Sequence, residues 1–217
     1  MVKTLGLTTL AFACSALLTA SPTQAEGFYI SIAAGTDMPS DHDFDTGAGA
    51  VGVVDTELDE GSALKFILGK QLESFRVEAE IALRMSEVEA HKLGSDTLPG
   101  SVGDAESKGY MLSALYDIGD TSKRFVPYVG AGVGVGAVQF ENYTIDGVPS
   151  VLNDEDAGFA YQFMIGLTIG LTDNIKLGLE YQYFSVLDLE VQTELGANNT
   201  DIDYDTQNLF AALRYHF

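Results

Sequence analysis

The chain has 217 residues, of which 32 are acidic and 11 basic, giving a formal net charge of −21. Such an acidic chain excludes a nucleic-acid backbone as partner, because phosphate neutralisation needs clustered Lys and Arg. A single cysteine excludes a disulfide framework, while a mean hydropathy of +0.11 despite this charge means that the apolar residues are gathered into segments.

Lys3 is the only charge in the first 25 residues, and an apolar run follows from Leu5 to Ala20. Thr23-Gln24-Ala25 before Glu26 has the small-x-small form of a signal-peptidase site. The run is short for a membrane-spanning helix, which needs about 20 apolar residues. We therefore expect residues 1–25 to be a cleaved export signal and 26–217 to form one domain. Cys14 falls inside the run, too early for a lipid-modified cysteine, so the mature chain is expected to carry no thiol.

Eight segments with apolar residues at every second position follow, the signature of strands. The first sets Phe28, Ile30, Ile32 and Ala34 against Tyr29, Ser31, Ala33 and Gly35, and the second sets Leu64, Phe66 and Leu68 against Lys65, Ile67 and Gly69. In the third, Phe75, Val77, Ala79, Ile81, Leu83 and Met85 alternate with Arg76, Glu78, Glu80, Ala82, Arg84 and Ser86. The fourth presents Tyr110, Leu112, Ala114 and Tyr116, and the fifth interleaves Val129 to Ala137 with Gly130, Gly132, Gly134 and Gly136. Phe159 to Ile169, Ile175 to Tyr183 and Leu209 to Phe217 complete the set.

A half-buried soluble sandwich would show the same alternation, and connector lengths separate the two. The connectors run long (37–60), short (71–74), long (87–106), medium (117–125), long (141–156), short (172–174) and long (185–204). That sends four long connections to one end of the sheet and three turns to the other. With slightly wider bounds (87–107, 141–157, 185–205) the long connectors hold 24 of the 32 acidic residues and a single basic one, Lys92. A soluble sandwich has no reason to send three-quarters of its acids to one end. Backbone polar groups in lipid must all pair, so a spanning sheet has to close on itself. The expected fold is all-β: an eight-stranded antiparallel up-and-down transmembrane β-barrel with four long acidic extracellular loops and three short periplasmic turns.

Eight strands leave an interior that side chains can fill. By parity Lys65, Arg76, Glu78, Glu80, Arg84, Lys176, Glu180 and Arg214 face that interior as a network of both signs. Ions in so narrow a lumen must pair to survive, so a salt-bridged plug is expected over a conducting path. The terminal Tyr215 and Phe217 are expected to be the insertion signal.

The stretch Phe125-Val126-Pro127-Tyr128-Val129-Gly130-Ala131-Gly132-Val133-Gly134, followed by Leu177-Gly178-Leu179-Glu180-Tyr181-Gln182-Tyr183 and closing on Tyr215-His216-Phe217, resembles the eight-stranded outer-membrane β-barrel family. That family includes the opacity-type porins and bacterial surface antigens. The resemblance covers Gly27 to Phe217 and implies the cell outer membrane as location, insertion from the periplasm, and a role in envelope integrity, adhesion or surface antigenicity. It implies no catalytic residue. The chain departs from the family where a terminal strand often has glycine, here Ala212, and it has no Trp, so an aromatic belt must be built from Tyr and Phe.

Asp41, Asp43 and Asp45, and again Asp201, Asp203 and Asp205, place carboxylates at every second position. Neither run has the Gly at position six and Glu at twelve of a helix-loop-helix calcium site. They are expected to be solvated, with loosely held Ca or Mg as the functional alternative and no other cofactor. His42 with Ser40 and Asp41, or His91 with Ser86 and Glu87, offers the residue types of a rim-site lipid A-modifying enzyme. Sequence neighbours do not make a positioned triad, so no enzyme is expected. The expected partners are outer-membrane lipid and lipopolysaccharide, the barrel-assembly machinery and periplasmic chaperones during insertion, and a host or cell-surface ligand; the barrel is expected to be a monomer.

Overall fold

A computed structural model describes residues 27–40, 42–44, 54–58, 60–93, 96–98, 102–145, 148–191 and 200–217. Eight long strands form the wall: β1 (Phe28–Pro39), β2 (Gly61–Leu72), β3 (Phe75–Leu93), β4 (Val102–Asp117), β5 (Phe125–Ile145), β6 (Val148–Gly170), β7 (Ile175–Val191) and β8 (Thr200–His216). Each pairs antiparallel with its neighbour in sequence, and β1 pairs with β8 from Tyr29↔His216 to Pro39↔Thr206, which closes the sheet. No edge is left within the wall, as a lipid setting demands.

The alternation read from the sequence becomes an outside and an inside. Ile32, Phe66, Val77, Leu112, Val133, Ile165, Leu179 and Leu213 are exposed large apolar residues on the outer surface. Their inward neighbours Ala33, Lys65, Glu78, Ser113, Met164, Glu180 and Arg214 are buried. One end of the outer face carries Phe28, Phe75, Tyr116, Phe125, Tyr215 and Phe217, with the Phe75 ring tilted against Tyr116 at 5.0 Å and Tyr215 edge-to-face with Phe217 at 5.5 Å. This Tyr and Phe ring lies beside the three short turns and so marks the periplasmic interface.

The glycines of β5 face inward, where their missing side chains admit neighbours. A Cβ on Gly132 would lie 2.2 Å from Ser113 Oγ, and one on Gly136 would lie 2.3 Å from Val186 Cγ2. The expected glycine in β8 is displaced by one strand: Ala212 sits opposite Gly178, whose Cβ would lie 3.2 Å from that of Ala212.

Three expectations need correction at the outer end. The connectors 87–106, 141–156 and 185–204 are not loops for most of their length, because β3 to β8 continue through them as paired strand. Above the membrane both faces of a strand meet water, so apolar alternation stops while the ladder continues. Pro39 ends β1, and Pro149 is the second residue of β6. Asp37, counted with the acidic loop residues, belongs to the wall of β1 and is fully buried. In addition, the short strands His42–Phe44, Val54–Leu58 and Asp96–Leu98 pair with one another or with the outer part of β3, as in Asp43↔Asp55 and Asp55↔Lys92. The export signal at 1–25 lies outside the described residues.

Candidate functional site in the lumen

Parity puts charged side chains inside a space that excludes bulk water, so each must find a partner there. Two three-strand rows organise them. In the first, Tyr29 on β1, Gly69 on β2 and Glu78 on β3 are direct cross-strand neighbours. The Tyr29 ring occupies the space over Gly69, and its hydroxyl donates to Glu78 Oε1 at 2.5 Å. In the second, Tyr128 on β5, Gly166 on β6 and Glu180 on β7 repeat the arrangement four strands away, with the Tyr128 hydroxyl donating to Glu180 Oε2 at 2.7 Å. Glycine is required at both centres because a Cβ would lie 2.1 Å from the first ring and 2.4 Å from the second.

Cations bind the ends of these rows. Arg76 donates to Glu78 at 2.9 Å and through Nε to Asp117 at 3.1 Å, while its guanidinium lies 4.3 Å from the Tyr128 ring centre. Arg214 approaches Glu78 at 3.6 Å and lies over the Tyr29 ring. Lys65 bridges Glu180 and, at 3.4 Å, Glu80, with its ammonium 4.1 Å from the Phe210 ring centre. Desolvated cation–π contacts of this kind contribute about 1–2 kcal/mol each. Farther out, Arg84 donates to Asn208 at 2.9 Å and Gln182 at 3.1 Å, and Gln182 continues to Glu80 and Gln162.

Of the lumen residues expected from parity, Lys65, Arg76, Glu78, Glu80, Arg84, Glu180 and Arg214 are thus linked through side chains. Lys176 faces the same interior but makes no hydrogen bond or ion pair among the described residues. Sequence reading missed Asp37 and Asp117. Asp117 accepts from Arg76 and Gln71, and Asp37 from Thr206 and Asn208. Extending the parity of β1 and β4 by one step past their apolar segments would have found both.

Above the ions the lumen becomes apolar. Met111, Val138, Ala160, Phe184, Val186, Leu189 and Tyr204 form one buried cluster from β4 to β8. Leu189 joins it through a bulge in β7, where Asp188 takes a left-handed φ of 54° and Val186↔Tyr204 is followed by Leu189↔Ile202. One extra residue restores an inward side chain that strict alternation would have turned out.

The acidic candidates are spread rather than gathered. Asp203 accepts from the Asp188 N–H at 3.2 Å and Asp205 from the Tyr183 hydroxyl at 2.8 Å, both at the outer end of β8. Asp41 and Asp45 lie outside the described residues, and for Asp43 and Asp201 the backbone alone is placed. Among the described residues no three His, Cys, Asp or Glu side chains converge on a metal position. Ser86 is buried in the wall of β3, whereas His91 pairs in the outer sheet with Thr56 and Leu98.

The model of the outer membrane protein β-barrel domain matches residues 8–217. Outer membrane protein PagN of Salmonella typhimurium is 32% identical over 103 residues, a stretch that spans 45% of this chain and 43% of that protein. Among solved structures, Neisserial surface protein A superposes with a TM-score of 0.57 at 18% identity, covering 88% of this chain and 98% of that one. OprG from Pseudomonas aeruginosa gives 0.57 at 20% identity, covering 89% and 98%. At these identities the two structures speak to the fold.

Proposed function

This chain belongs to the outer membrane protein β-barrel domain family, and from that membership we propose a closed surface barrel that stabilises the envelope and presents acidic hairpins to the exterior. It is a protein of the outer membrane. The observation that carries the reading is the filled lumen. Arg76, Arg84, Lys65, Phe184, Leu189 and Gln182 are among its largest fully buried side chains, and they span it from the ionic rows to the apolar cluster.

A conducting path is the main rival. An ion crossing this interior would have to part Lys65 from Glu180, or Arg76 from Glu78, and then pass the apolar cluster around Phe184. Breaking such pairs exposes buried charge at a cost of about 3–5 kcal/mol. Catalysis has no comparable support, since each lumen carboxylate is engaged by a cation, amide or hydroxyl. The name of Neisserial surface protein A agrees with a surface role, which the acidic outer hairpins of this chain would serve toward lipopolysaccharide, divalent cations or a cell-surface ligand.

Planar-bilayer recording of the refolded protein tests the closed lumen; the expected trace is a flat baseline, and stepwise conductance would return the channel reading. A deletion strain scored for envelope leakiness and adhesion tests the surface role, with wild-type behaviour in both counting against it.

A further inference from the structure

At the periplasmic end of the lumen the buried donors Arg76 NH2 and Arg214 Nε have no hydrogen-bond partner. Lys176 on β7 sits directly opposite Arg214 on β8, a like-charge cross-strand pair that is unfavourable by itself. Arg76 and Arg214 converge on one oxygen, Glu78 Oε1, at 2.9 and 3.6 Å. His216 lies two residues beyond Arg214 on the same inward face, its ring 4.9 Å from that of Tyr29. The charges acting on the Lys176 ammonium are those of Arg214, Asp117 and Arg76.

Three of the four carboxylate oxygens of Glu78 and Asp117 are already engaged. Glu78 Oε1 takes Tyr29, Arg76 and Arg214, and both oxygens of Asp117 are used by Arg76 and Gln71. Arg76 NH2, Arg214 Nε, Thr168 Oγ1 and His216 Nε2 are all buried without a hydrogen-bond partner. Arg76 is fully buried and Arg214 is 6% exposed, so solvent does not readily supply the missing acceptors. Lys176 and His216 are only half-buried, which leaves the group open toward the periplasm.

We propose that this mouth is an oxyanion site that takes a phosphate group between Lys176, His216 and Arg214, with the buried Arg76 adding its charge from behind. A guanidinium binds phosphate through charge-assisted hydrogen bonds, and a phosphate carries enough acceptor oxygens for several donors at once. Lys176 supplies the uncompensated positive charge, and Thr168, diagonal to it on β6, supplies a hydroxyl. The phosphate can come from an inner-leaflet lipid headgroup or from the soluble pool; the Phe28, Tyr215 and Phe217 belt sets the mouth at headgroup level.

The test uses the whole mature barrel refolded in a sugar-headed detergent, which contains no phosphate. One arm titrates inorganic phosphate at constant ionic strength against chloride, and the other titrates phosphatidylglycerol. The readouts are the His216 ring resonances and, by native mass spectrometry, the bound adduct. Saturation by phosphatidylglycerol alone identifies the lipid as source, and saturation by both identifies a site open to soluble phosphate. Lys176→Gln, at a half-exposed position, is expected to keep the heat-modifiable folded band while weakening binding about fivefold, the worth of one charge-assisted contact. Saturation by neither probe up to about 10 mM, or equal binding by folded Lys176→Gln, would overturn the proposal.

Discussion

The ring of Tyr29 fills the space above Gly69, so that a Cβ on the glycine would lie 2.1 Å from Tyr29 Cζ. The ring cannot retreat without giving up its hydroxyl contact with Glu78, the carboxylate that also holds Arg76 and Arg214. Gly69→Ala should therefore destabilise the barrel by about 1–3 kcal/mol, the usual cost of overpacking. Urea unfolding of the barrel in liposomes measures this. In a Tyr29→Ala background the same substitution should cost almost nothing, and a full additive penalty there would show that the clash lies elsewhere.

Lys65 joins two carboxylates from opposite halves of the barrel, Glu80 on β3 and Glu180 on β7. Lys65→Met would leave both without their cation in a buried site, and we expect a loss of about 3–5 kcal/mol. Adding Glu180→Gln should recover part of it, because one of the two stranded charges is then gone. A double variant less stable than the single one would mean that Glu180 is held mainly by Tyr128, not by Lys65.

The face assignment is tested on adjacent residues of β4. Leu112 is among the most exposed apolar residues of the outer surface, near the middle of the strand. Leu112→Arg should cost about 2–4 kcal/mol in a refolding titration, as for a cation near the bilayer midplane. Ser113, its inward neighbour, accepts from Gln162 at 2.9 Å. Ser113→Ala should cost about 1 kcal/mol, since Gln162 keeps its other partners. The reverse order would mean a register error of one residue, because period two turns every side chain over.

The parts of this molecule legible in the sequence were those under a two-sided constraint. In β3, lipid selects Val77, Ala79 and Ile81 on one face while the lumen selects Arg76, Glu78 and Glu80 on the other, so strand, face and ion network follow together. Asp37 and Asp117 are hidden for the converse reason: each lies just past the alternating segment of its strand, where polar character resembles the start of a loop. The outer parts of β3 to β8 are hidden likewise, as water on both faces removes the alternation without removing the ladder. Tyr128 lies in the family-like stretch of β5, yet its row with Gly166 and Glu180 depends on register, which no single segment states. The bulge at Asp188, which brings Leu189 into the lumen, is similarly invisible to period two.

Insertion should depend on the last strand. Tyr215 pairs with Ile30 on β1, and the Phe217 N–H donates to the Phe28 carbonyl at 3.0 Å, so the final residues fasten the seam that closes the barrel. We expect deletion of Phe217 to leave unfolded protein in the periplasm, and Tyr215→Ser to slow assembly less severely. Fractionation with a heat-modifiability gel measures both. Normal amounts of folded barrel after the deletion would assign recognition to another part of β8.

The acidic outer end sets the last expectation. Asp203 and Asp205 stand at the outer end of β8, and the sequence sends most of its remaining acids to the same side. Lipopolysaccharide is itself anionic, and like charges repel within a Debye length of about 8 Å at physiological salt. Calcium or magnesium bridging the hairpin carboxylates to lipid phosphates would relieve that repulsion, because hard cations prefer oxygen ligands. Folding into vesicles that contain lipopolysaccharide should then be slow in monovalent salt and recover in millimolar calcium at matched ionic strength. Folding into zwitterionic vesicles should be indifferent to calcium, since the carboxylates of the ionic rows inside the lumen are already engaged by Tyr29, Tyr128, Lys65 and Arg76. An equal calcium effect in both membranes would place the ion on the protein alone, and no effect in either would leave the outer carboxylates as a solvated coat.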